Sequence, residues 1–205
     1  MIKIILNELR RHIPFTALGA FGGILFIIVF NRISEETAHE LFFVFHPLHV
    51  LLSALVTASI YQLHTCPKQK SKKCNLPLLL VIGLMGSIGI ATLSDSIMPY
   101  LGEILLDMPH RHSHIGFLEK WWLISGVAVV GIIIAYVNPT TKFPHLGHVL
   151  ISTWASLFHI LMAKGQNLLV ITYIIVFIFL FLAVWIPCCI SDIVFPLLFV
   201  NKSKK

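Results

Sequence analysis

Long apolar runs separated by short polar connections set the pattern of this chain. Six runs can be marked, roughly Ile13 to Asn31, Leu41 to Leu63, Leu76 to Tyr100, Trp121 to Asn138, Phe143 to Ala163 and Leu168 to Val200. A helix needs about 20 mostly apolar residues to cross the hydrocarbon core of a bilayer, and these runs have that scale. Lipid offers backbone N–H and C=O groups no partners, so spanning segments close their own hydrogen bonds as helices or as closed barrels. Barrel strands alternate apolar and polar residues, which these runs do not. The pattern predicts an all-α integral membrane protein with six transmembrane helices.

Composition agrees with that reading. Hydrophobic residues make up 57% of the 205 and charged ones only 12%, against about 25% charged in soluble domains. The net charge of +6 is explained by topology and implies no nucleic-acid partner. With a cytoplasmic N-terminus, eleven of the fifteen Lys and Arg residues fall on the inner side, Lys68, Lys70, Lys72 and Lys73 among them. That is the positive-inside bias. The expectation is a multi-pass protein of a prokaryotic cytoplasmic membrane, with both termini cytoplasmic and the lipid bilayer as its first partner. The first run reads as an uncleaved insertion signal, since no small-residue cleavage site follows it. Cys66 and Cys74 fall in a cytoplasmic loop and Cys188 and Cys189 in the last run, so the cysteines form no disulfide framework.

An internal repeat organises the runs. His46-Pro-Leu-His49-Val-Leu-Leu-Ser53 matches His145-Leu-Gly-His148-Val-Leu-Ile-Ser152 at an offset of 99 residues, and Thr57 stays in register with Ser156. Ser94-Asp95 followed by Pro99 matches Ser191-Asp192 followed by Pro196 at an offset of 97. Gly23-Ile24 to Asn31 resembles Gly131-Ile132 to Asn138 more weakly. The matches keep one order, which divides the chain into residues 1–107 and 108–205 as two three-helix repeats. An odd number of spans per half inverts the second half in the membrane, as in many transporters.

The polar residues inside the runs carry the chemistry. Residues three, seven and eleven positions apart share a helical face. His46, His49, Ser53 and Thr57 therefore form one stripe, and His145, His148, Ser152 and Ser156 another, which His159 extends. Ionisable groups in lipid are costly and mark functional sites. Imidazole suits borderline metals such as zinc, and two His with one carboxylate form a common ligand set. Each aspartate stands four residues before a proline, which disrupts the helix one turn back and frees carbonyls beside the carboxylate. The candidate metal ligands are His46, His49 and Asp95, His145, His148 and Asp192, and His159. Cys188 and Cys189 could supply thiolates next to Asp192 but read first as small buried hydrophobes, and Glu103 is placed in an outer connection running from Gly102 to Glu119, whose start could form a short interfacial helix. The first ligand set falls near the outer ends of its runs and the second near the inner ends, so one site and two half-sites are both open.

The leading functional expectation is a transporter of a divalent transition metal ion, zinc among the candidates. The alternative is an intramembrane metal-dependent hydrolase acting on a lipid or a membrane-embedded substrate, in which bound metal would activate water. A haem-binding electron carrier is a third, weakened because Ile60 stands where His159 would need its counterpart. No nucleotide loop, nucleophile elbow or HExxH motif is present.

Overall fold

The structure is a computed structural model that describes residues 2–29, 33–65, 75–164, 170–189 and 194–199, without the side chains of 2–9, 11, 12, 142–146, 170 and 189. Among the described residues it is all helical, with no strand. The elements are α1 (Ile2–Val29), α2 (Glu35–Thr65), α3 (Leu76–Thr92), a π-helical turn (Leu93–Ile97), α4 (Met98–Leu105), α5 (Gly116–Glu119), α6 (Trp121–Val137), α7 (Lys142–Ala163), α8 (Val170–Cys189) and α9 (Phe195–Leu198).

Three helical stretches, Glu35–Thr65, Leu76–Leu105 and Ile171–Cys188, are long and apolar enough to cross a membrane, and Ile13–Val29, Trp121–Val137 and Gly147–Ala163 are shorter apolar helices. Burial is inverted relative to a water-soluble bundle. Leu18, Phe21, Leu25 and Ile28 of α1, and Ile171, Ile174, Ile178 and Leu182 of α8, recur at helical spacing and are exposed. His46, His49, Ser53 and Thr57 of α2, with His148, Ser152, Ser156 and His159 of α7, are buried. Apolar stripes outside and polar stripes inside are the arrangement lipid favours.

Local signals account for where the helices begin and bend. The Ser34 hydroxyl accepts from the Thr37 N–H at 3.1 Å, and Glu35 and Glu36 occupy the first turn of α2, which suits the positive end of the helix dipole. At α3 the Asn75 side chain accepts from the Leu78 N–H at 3.4 Å. Pro99 has no N–H to offer the carbonyl four residues back, that of Asp95 itself. The ladder is reset there by a π-helical turn, in which the Met98 N–H reaches the Leu93 carbonyl. Such turns often mark functional positions.

Helix α2 is the hub and packs against α7, α6 and α3, while α1 packs against α7 and α8. Aromatic contacts set α2 and α7 antiparallel: Phe42 meets His159, Phe45 meets Phe158 and Trp154, and His49 meets His148. Close approach of α6 to α2 depends on Gly131, where an added Cβ would stand 3.0 Å from the Ala54 methyl and against the Leu51 carbonyl. The helix α2 begins at Glu35, upstream of the Leu41 start expected from hydropathy, which puts His49 near its middle.

Candidate metal centre

The π-helical turn aims Asp95 at two helices. Its Oδ2 accepts from His46 Nδ1 at 2.9 Å and from His49 Nδ1 at 2.7 Å, both on α2. Its Oδ1 accepts from the Ser94 hydroxyl at 2.7 Å and from the Ser152 hydroxyl of α7 at 2.8 Å. All these side chains are shut away from solvent. A carboxylate has about four acceptor positions, and four donors fill them. Ser156 attends to the disrupted backbone next to it, donating to the Ser94 carbonyl at 3.0 Å or to the Ser152 carbonyl at 2.9 Å. Asp95 therefore acts by holding two imidazoles in place.

That hold has a chemical consequence. An imidazole that donates its Nδ1–H to a carboxylate presents Nε2 with a lone pair, the state in which histidine binds metal. His49 Nε2 lies 3.8 Å from Cys188 Sγ of α8. The His148 ring stacks nearly parallel to His49, with centroids 5.7 Å apart and planes 13° apart. One ligand atom from each of His49, His148 and Cys188 falls within 4.8 Å of the others. Zinc bond lengths of about 2.3 Å to sulfur and 2.0 Å to nitrogen at a tetrahedral angle separate S from N by about 3.5 Å. The 3.8 Å between His49 Nε2 and Cys188 Sγ is close to that. Two nitrogens and a thiolate form a soft-to-borderline set suited to zinc or copper(I), with a fourth position left over.

The sequence-derived candidates are distributed as follows. His46, His49 and Asp95 are brought together as expected of one set, and His148 from the other set joins them. His46 stacks on Phe42 at 5.0 Å and is covered by Gly116, where an added Cβ would stand 2.6 Å from its Nε2. His159 is in a separate pair, its Nδ1 2.7 Å from Glu103 Oε1, with both side chains fully buried. The side chain of His145, and all of Asp192, lie outside the described residues.

Two further buried residues fall outside the sequence-derived ligand set. Cys188 is ranked by sequence first as a small buried hydrophobe and only second as a thiolate ligand, and at the repeat offset of 97 its counterpart is Ala91, so the internal symmetry holds no signal for it. Glu103 was placed in a connection outside the membrane, but α4 continues the helix to Leu105 and buries it. Its spacing of four and eight residues from Pro99 and Asp95 is helical, and was the available clue.

Comparison with protein-family models, with curated proteins and with solved structures finds no match. The site therefore speaks through its own chemistry. Ionisable side chains buried this deeply are costly in a low-dielectric interior unless their charges are balanced by a partner.

Proposed function

We propose that this chain carries a divalent transition metal ion, such as zinc, across the membrane through a bundle of six helices built as two inverted three-helix repeats. The observation that supports it best is the meeting of two buried polar ladders. His46, His49, Ser53 and Thr57 on α2 and His148, Ser152, Ser156 and His159 on α7 are all buried, and each ladder spans eleven residue steps, about 16 Å at the helical rise of about 1.5 Å per residue. A single fixed ion needs one site. A succession of polar groups along more than half of a hydrocarbon core of about 30 Å suits passage.

The packing supports two related halves. Exchanging the first three spans for the last three turns α2–α6 into α7–α1, α2–α3 into α7–α8, α3–α6 into α8–α1, and α4–α7 into α9–α2, and all of these pairs are in contact. In the repeat, Ser53 answers to Ser152, Thr57 to Ser156, His145 to His46 and Asp192 to Asp95. Ser53 and Thr57 are buried hydroxyls with no hydrogen-bond partner among the described residues. His145 and Asp192 join the proposed path on that correspondence alone. The central site lies between the halves, with His49 and Asp95 from one and His148, Ser152 and Cys188 from the other. Rocking one half against the other would pull the ligand set apart and release the ion. Since the thiolate and imidazoles take up protons as metal leaves, release would exchange metal for protons.

The test is metal flux into proteoliposomes, read with a zinc-sensitive dye. His49→Ala and His148→Ala should each lower the initial rate at least tenfold, as loss of metal-site residues commonly does. Undiminished flux in both folded variants would defeat the transport reading. An open fourth position on three protein ligands also characterises catalytic zinc. Stoichiometric zinc that resists chelators, with turnover of a lipid, would favour a hydrolase instead.

A further inference from the structure

A second cluster of ligand atoms forms at the N-terminal end of α2, where His39 meets His114 and Glu119. His39, His114 and Glu119 each offer one atom within 4.8 Å of the others. The Glu119 carboxylate bridges the two rings, with Oε1 3.1 Å from His114 Nδ1 and Oε2 3.4 Å from His39 Nε2. Two ligands on a tetrahedral zinc with bonds of about 2.0 Å stand about 3.3 Å apart. The side chains are one quarter to two fifths exposed, at 24% for His114, 34% for Glu119 and 38% for His39. An ion can therefore reach them from water.

Three further observations point to a ligand. A cavity of about 360 Å³ opens at the cluster, lined by Glu35, Glu36, His39, His114 and Met162. Its carboxylates draw cations, and the Lys120 ammonium next to Glu119 in sequence is held 3.9 Å over the Phe43 ring. Behind His114, at 5.9 Å between ring centroids, is the fully buried ring of His159. Its Nε2, and Glu103 Oε2 beside it, have no hydrogen-bond partner among the described residues. The Phe42 ring meets His159 edge-on at 5.7 Å and stacks on His46 at 5.0 Å. Imidazoles thus follow one another from the exposed cluster to the Asp95 cluster.

We propose that His39, His114 and Glu119 form a divalent-metal docking site at the mouth of the bundle, from which the ion passes to the His159–Glu103 pair. The mouth site stands on its own geometry, while the direction of passage rests on the transport reading above. A carboxylate with two imidazoles is a harder, more accessible set than the buried one with its thiolate, so it exchanges ions with water faster and holds them less tightly.

Zn2+ titration of the detergent-solubilised full chain tests this. The unaltered protein should bind two ions per chain in two affinity classes. The pair His39→Ala with His114→Ala should lose the weaker class and keep the tighter one, and His49→Ala with His148→Ala should do the reverse. Two undiminished classes in the first variant would overturn the mouth site. Loss of a class in the first variant only would sustain the mouth site and count against the central one. A second readout needs no substitution: saturating Zn2+ should protect His39 and His114 from diethyl pyrocarbonate, and equal modification with and without metal would overturn the proposal.

Discussion

Asp95 and Glu103 lie eight residues apart on one helical stretch, both fully buried and both hydrogen-bonded to histidine on a neighbouring helix. Their surroundings are otherwise opposite. Four donors from α2, α7 and its own turn fill the acceptor positions of Asp95. Glu103 accepts one bond from His159, and its other oxygen and the far nitrogen of that ring have no partner among the described residues. An unmade hydrogen bond on a buried polar group costs about 1–3 kcal/mol, so the two sites reflect different uses. A saturated carboxylate holds what surrounds it. A half-satisfied one is ready to take a new partner.

The largest effect of breaking this contrast is expected at Asp95. Asp95→Asn removes the charge and turns one of the two acceptor oxygens into an amide NH2, so the group can no longer hold two imidazoles and two hydroxyls with a charged acceptor. Affinity at the central site should fall about 10–100-fold or more, with the altered hydrogen bonding of the rings visible in the imidazole 15N shifts. Unchanged affinity would mean that Asp95 does not position the metal-binding rings. Thermal stability should fall as well, since breaking a buried charged network from one side costs about 3–5 kcal/mol.

A smaller effect is expected at the unsaturated pair. Glu103→Gln keeps an oxygen that can accept from His159, so stability should move by no more than about 1 kcal/mol. Flux should nonetheless fall while Zn2+ affinity at the central site holds, because a step on the way has lost its charge. A variant that loses stability but conducts normally would show that the pair serves the fold alone.

The sequence carried a good part of this picture, for identifiable reasons. Apolar runs are long, so helices follow from length and lipid physics, although the start of α2 moved to Glu35 because Ser34 and two glutamates supply its first turn. His46, His49 and Asp95 were legible from spacing and duplication, and Pro99 marked the turn that presents the carboxylate. What stayed hidden depends on tertiary geometry. Helix crossing brings His148 to His49, and nothing local marks Cys188 apart from any cysteine in an apolar run. The hydroxyls that join the imidazoles on the Asp95 oxygens come from two elements, and spacing alone does not reveal them.

The proposed transport requires one ion to be held jointly by His49, His148 and Cys188. Replacing the metal with Co2+ and recording the visible and near-ultraviolet spectrum tests it directly. A tetrahedral cobalt signature with charge transfer from a single thiolate is expected, the thiolate band disappearing in Cys188→Ser and the whole signature weakening in His148→Ala. Bound Co2+ without a thiolate band, or a band that survives Cys188→Ser, would contradict it.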